Sequence, residues 1–192
     1  MLDDSFIADL LEKEDDSVIS VMAFMSYNPS IGRVLQKGGV RKFQKWMLKM
    51  VLELNDVSNM QDFDKLHKKY LNKIITQLKT SNNSSVSFGQ AQKPINVFLK
   101  VFMDWARKPN EEMRDKILPF LHVPLDSILM KTIKKKYPEW YKTEIKPSIK
   151  NIQQEFSLSK IDYNLYCKWQ QFFRKKYRTK PLVFDVAWAL NR

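Results

Sequence analysis

Apolar residues recur at helical spacing along almost the whole chain. Phe6, Leu10 and Leu11, and then Val18, Val21, Met22 and Met25, each share one face. That pattern predicts helix over 3–27, with N-cap candidates at Asp3, Asp4 and Ser5 and a break and restart at Asp15-Asp16-Ser17. Asn28-Pro29-Ser30 is a breaker, and a short helical turn is expected through Gln36. Beyond Gly38-Gly39, the stripe Val40, Phe43, Trp46, Met47, Met50, Val51 and Leu54 leaves Arg41, Lys42, Lys45 and Lys49 on other faces. Phe63, Leu66, Tyr70, Ile74, Ile75 and Leu78 predict the next helix over 60–78, where His67 among Lys65, Lys68 and Lys69 reads as a surface histidine without a role.

The run from Thr80 to Ser85 is an evident loop, and 80–86 is the expected boundary between two lobes. A short polar surface helix is expected after Trp105. Asp126 then opens a helix with Ile128, Leu129 and Ile133 inward and Lys134-Lys135-Lys136 at its end, where cations suit the helix dipole. Ser159-Lys160-Ile161-Asp162 starts another helix, with Leu165, Trp169, Phe172, Phe173 and Tyr177 as its apolar face. Pro181 ends it, and 182–192 reads as a short final apolar helix. With only 4 glycines, the chain has little to spend on the tight turns of sheets. The expected fold is all-α: one compact, two-lobed helical domain over 1–192.

Charge narrows the partners. A net +12 on 192 residues points to a polyanion, with nucleic acid first, an anionic membrane second and a merely soluble basic surface third. Six basic and no acidic residues lie between Arg33 and Lys49, and 14 basic against 4 acidic between Lys131 and Lys180. The second density exceeds what compensation of helix dipoles requires. Lys134, Lys135, Arg174 and Lys175 are therefore candidate nucleic-acid contacts. Through Asp16 there are seven carboxylates against Lys13 alone, so the N-terminal segment is expected to face away from a polyanion. Gly38-Gly39 before a basic helix reads either as a phosphate cradle or as a cap on a soluble amphipathic helix.

The remaining composition is mostly exclusion. A single cysteine, Cys167, rules out an internal disulfide and a thiolate-caged zinc or iron–sulfur cluster, and fits a reducing compartment. It reads as a core or boundary residue, and His122 as a boundary residue. There is no P-loop, dinucleotide fingerprint or HExxH motif, and two histidines give poor support for a Ser-His-Asp or Cys-His set. No apolar run reaches the ~20 residues that span a bilayer, and the acidic N-terminus lacks a signal-peptide layout. A cytoplasmic monomer needing no metal or cofactor is expected.

Candidate chemistry is confined to Val86–Lys131. A glycine-bearing turn is expected to place Lys93 at the mouth of one helix, and Val-Pro-Leu-Asp places Asp126 at the mouth of another. Each also has a plain reading: Asp126 as an N-cap, Lys93 as a solvated turn lysine. The run Gly89-Gln90-Ala91-Gln92-Lys93-Pro94-Ile95-Asn96-Val97 resembles the hairpin and following helix of the helix–hairpin–helix DNA glycosylases, whose Gly-x-Gly-x-Lys-Thr-Ala-Asn-Val type of run carries a lyase lysine. Val123-Pro124-Leu125-Asp126-Ser127-Ile128 is similar to that family's Val-Pro-Val-Asp-Thr-His element with its catalytic aspartate. The compact archaeal-type 8-oxoguanine glycosylases are the nearest in character, and Asp185-Val186-Ala187-Trp188 is loosely similar to their final Asp-x-x-x-Trp. The resemblance spans 88–133, under a third of the chain. Ala91 stands where the family has its second hairpin glycine and Pro94 where it has threonine. The Lys93–Asp126 spacing is longer than usual, and the four-cysteine cluster of some members is absent.

The resemblance implies excision of a damaged or modified base from double-stranded DNA. Asp126 would stabilise the sugar cation and Lys93 would form a Schiff base, giving AP-lyase activity. The nucleotide must flip out of the duplex. Gly89, Gln90 and Gln92 would lie against the DNA, the glutamines reaching base edges, and Phe88, Trp105, Trp140 or Trp188 would stack on the base. The alternative is a non-enzymatic basic helical protein that binds nucleic acid; a protein-interaction module kept soluble by its charge is a third reading.

Overall fold

The computed structural model describes residues 14–149 and 154–186. The N-cap candidates at Asp3–Ser5 and the aromatic Trp188 lie outside these. The described residues contain eight α-helices and no strand, only two isolated bridges, Leu35 with Thr80 and Lys79 with Ser85. The helices are α1 (Glu14–Tyr27), α2 (Gly39–Glu53), α3 (Met60–Gln77), α4 (Phe88–Leu99), α5 (Glu111–Ile117), α6 (Ser127–Lys136), α7 (Pro138–Trp140) and α8 (Tyr163–Lys176). The chain is all-α.

The stripes place these helices as periodicity requires. In α2, Phe43, Trp46, Met47, Met50 and Val51 are buried while Arg41, Lys42, Lys45 and Lys49 are exposed. Gly38 precedes it at φ 88, a left-handed conformation open to glycine and costly to residues with a Cβ. Five starts are closed by side chains: Asn59, Ser87, Asn110, Asp126 and Asp162 each accept the N–H of the residue three further on. Such a cap contributes about 1 kcal/mol. Asp15, Asp16 and Ser17, where a break and restart is expected, lie at the start of α1 as described. Of the final segment, Pro181–Asp185 forms a 3₁₀ turn.

Two apolar cores organise the chain. The first runs from Ile19 through Leu121 and gathers α1 to α4, with Leu182 joining it. The second runs from Val123 to Phe173 and is built by α6 and α8 around Trp169, Tyr141 and Phe173. Fully burying a side chain of this size contributes about 1.5–3 kcal/mol. The division therefore falls at His122, not in the 80–86 loop: Leu78 and Val86, on either side of that loop, belong to the same core. Phe88 packs against both cores, so α4 lies along the seam. No described helix is long and apolar enough to cross a membrane.

Candidate functional site

The seam brings together residues that are far apart in the chain. Lys93 on α4 and Asp126 at the start of α6 meet with Nζ and Oδ2 3.4 Å apart. Asp126 divides its carboxylate between two tasks. Oδ1 accepts the Leu129 N–H at 2.9 Å and caps α6, while Oδ2 faces the lysine. The side chains are 23% and 13% exposed, respectively. The pair is thus largely desolvated yet open to solvent at its edge. The N-cap reading and the chemical reading of Asp126 use different oxygens and do not compete.

Gln92 holds this geometry. Its Oε1 accepts the Leu125 N–H at 3.2 Å, and its Nε2 donates to the Leu125 carbonyl at 3.0 Å. The residue before the lysine is thereby tied twice to the residue before the carboxylate. Nε2 also donates to the Gly89 carbonyl, and Oε1 accepts from Asn96. Every hydrogen-bonding position of the buried carboxamide is filled.

A polar chain continues through the seam behind the pair. Asn96 Nδ2 donates to Gln92 at 2.8 Å and to the Tyr166 hydroxyl at 2.9 Å, leaving its Oδ1 to accept from His67 Nε2 at 2.6 Å. Tyr166 in turn donates to His122 Nδ1 at 2.7 Å, so His122 carries its proton on Nε2 and donates it to Asp64 at 2.9 Å. Arg174 closes the chain with two bonds to Asp64, at 3.1 and 2.8 Å, and a third to the Phe120 carbonyl. Gln170 brackets Val123 on both its N–H and its carbonyl. Burial pushes the His122 imidazole down to about 4, against the hydrogen bond to Asp64, and pushes His67 well below its ordinary value. Burial raises the Asp64 carboxyl, but the bonds from His122 and Arg174 outweigh it and hold the group well below the usual carboxylate range.

Several expected placements are corrected by this arrangement. No glycine turn places Lys93 at a helix mouth. Ser87 and Gln90 form a reciprocal capping box, so α4 begins at Phe88 and Lys93 sits in its second turn with Pro94 inside the helix. The helix start beside the amine is that of α6. The Gly89 N–H is not free to hold a phosphate, because it donates to the Ile161 carbonyl, and a Cβ there would lie 2.3 Å from the Leu158 carbonyl oxygen. Gln92 is fully buried and cannot read a base edge, while the carboxamide oxygen of Gln90 is committed to the Ser87 N–H. Arg174 is locked onto Asp64 and is not a surface contact. Lys134, Lys135 and Lys175 are exposed.

Among the aromatics, Trp140 stacks on Phe172 at 3.9 Å as part of the second core, whereas Trp105 is 66% exposed under the Lys100 ammonium. His67, expected at the surface, is buried, and so is His122, expected at a boundary. His67 falls at i+4 from Phe63 and i−3 from Tyr70, so the apolar stripe itself marked it as internal. Cys167 sits half-buried at the boundary, its thiol pushed up chiefly by burial. Among the described residues no three of His, Cys, Asp and Glu cluster closely enough to hold a metal ion.

The contact at Gly89 yields a direct test. Gly89→Ala is expected to destabilise the protein by about 1–2 kcal/mol, the steric cost exceeding the gain in helix propensity. A shifted urea midpoint with unchanged slope measures it; an unchanged or raised midpoint would show that Leu158 moves aside freely.

Comparison of the chain with protein-family models, with curated proteins and with solved structures found no match.

Proposed function

We propose that this chain is a DNA N-glycosylase with lyase activity, acting on a damaged or modified base, with Lys93 as nucleophile and Asp126 as the carboxylate that stabilises the sugar cation. The observation that carries the reading is the approach of Lys93 to Asp126 across 33 positions of sequence, at a partly open seam on a strongly basic chain. The partner is double-stranded DNA with one nucleotide flipped out of the stack. The protein works in the cytoplasm as a monomer and without a cofactor.

The chemistry follows from the pair. Positive charge grows on the sugar as the bond between C1′ and the base nitrogen breaks, and its electron pair leaves with the base. Oδ2, held by the cap on its sister oxygen, stabilises that charge electrostatically. Attack on C1′ uses the lone pair of the Lys93 amine; as the C1′–base and C1′–O4′ bonds break in turn, one amine proton passes to the departing base and the other to O4′, leaving the Schiff base from which the strand is cleaved.

Borohydride trapping on duplexes carrying an abasic site or an oxidised base tests this. The wild-type protein is expected to become covalently attached to the DNA and Lys93→Ala is not. Asp126→Asn keeps a competent N-cap, so the fold is retained while base release slows by about 10²–10³-fold. Equal trapping by wild type and Lys93→Ala would remove Lys93 as nucleophile. Salt-sensitive binding with neither adduct nor released base would instead give the non-enzymatic nucleic-acid-binding protein.

A further inference from the structure

The far end of α6 lines a concavity rimmed by lysines. Lys131, Lys134, Lys135, Lys142 and Lys146 rim a pocket of about 540 Å³, with Pro138, Ile149 and Phe156 providing its apolar lining. One acidic residue lines it among the described residues. Glu155 is spent internally: its carboxylate pairs with Lys134 at 3.0 and 3.1 Å and accepts the Tyr141 hydroxyl. The lysine rim therefore keeps a strong positive excess. The Lys131 and Lys134 ammonium groups stand 5.9 and 5.5 Å from the centre of the Phe156 ring, and Lys134 stands 5.1 Å from that of Tyr141. The ring faces are thus turned toward the cations that rim the pocket.

We propose that this pocket binds one unpaired nucleotide of a single-stranded nucleic acid, its base stacked on Phe156 and its flanking phosphates on Lys131, Lys135, Lys142 and Lys146. The volume falls in the range of small-molecule sites. A ring face inside a lysine rim matches a ligand that joins a flat apolar group to anions. Stacking on an aromatic beside a cationic track is how single strands are held without sequence preference. A duplex keeps its bases covered and a lipid surface is too flat to enter the concavity. An acidic peptide brings carboxylates but no flat ring for Phe156. The inference goes beyond the Lys93–Asp126 chemistry and does not depend on it. Lys134 lies about 12 Å further along the axis of α6 than Asp126, at 1.5 Å per residue.

Fluorescence anisotropy of a labelled short oligothymidylate on the full chain tests the site, with polyglutamate as competitor. The Lys135→Gln, Lys142→Gln double variant is expected to bind about tenfold more weakly and with a salt slope lower by about 1.4. Phe156→Leu is expected to lose about tenfold with the slope unchanged, and Phe156→Tyr, which keeps the ring, to bind as wild type. A 2-aminopurine in the oligonucleotide reads stacking on the unaltered protein through its quenched emission. Lys93→Ala is expected to bind the single strand as wild type does, which separates this site from the proposed glycosylase chemistry. Wild-type affinity in Phe156→Leu, unchanged 2-aminopurine emission, or displacement by polyglutamate as effective as by the single strand would each overturn the proposal.

Discussion

Asn96→Leu is expected to lower the unfolding free energy by about 4 kcal/mol, enough to leave a domain of ordinary stability marginal. The two side chains share one branched skeleton and leucine is the larger, so no cavity is made. What changes is hydrogen bonding. Asn96 is fully buried and serves His67, Gln92 and Tyr166 at 2.6, 2.8 and 2.9 Å. Leucine leaves the His67 N–H without an acceptor and strips a donor from both other partners, away from solvent. Each buried group left unsatisfied costs about 1–3 kcal/mol. Urea unfolding with a displaced midpoint and an unchanged slope is the expected record. A loss below about 1 kcal/mol would mean that the seam rearranges to satisfy these groups another way.

Stability is also expected to fall steadily as the pH drops from about 6.5 to about 4, by about 3 kcal/mol from His122 alone. The folded imidazole is held down to about 4 while the unfolded one titrates at its ordinary 6.5. Between these values the unfolded chain binds the additional proton, so acid favours unfolding; above them this contribution is complete and flat. His67 shifts in the same direction and steepens the profile. Asp64 adds a later loss, because a carboxyl held low in the fold gives stability that disappears as the pH falls through the carboxylate range. Urea titrations across this interval measure the slope. His122→Gln removes the titrating group and should remove its share of the slope, whatever it does to the absolute value. A profile flat through the window in the wild-type protein would contradict the neutral, buried imidazole.

The helices were legible because each stripe repeats locally, as in Phe43-Trp46-Met47-Met50, and because Asp126 and Asp162 sit where caps belong. The glycine-bearing turn expected before Lys93 was a misreading with an identifiable cause. Ser87-x-x-Gln90 is itself a helix-start signal, and it outweighs a single glycine that close packing against Leu158 requires. The core division at His122 and the polar chain through it left no local mark. Asn96 and Tyr166 are 70 positions apart, His122 and Asp64 58, Arg174 and Asp64 110. Such partners are chosen by the tertiary arrangement alone. Lys93 and Asp126 were both singled out by residue type and order, but their approach depends on Gln92, whose role only the fold reveals.

The double tie between Gln92 and Leu125 has a consequence for the chain that joins them. Since the spacing of Lys93 and Asp126 is set at the tie, the connection through α5 need only begin and end there. Doubling the length of a flexible connection costs about 0.6 kcal/mol in closure entropy. Insertions or deletions around residues 106–116 should therefore leave the pair where it is. The number of residues between the lysine and the carboxylate is then free to vary, while the distance between them stays a property of two hydrogen bonds.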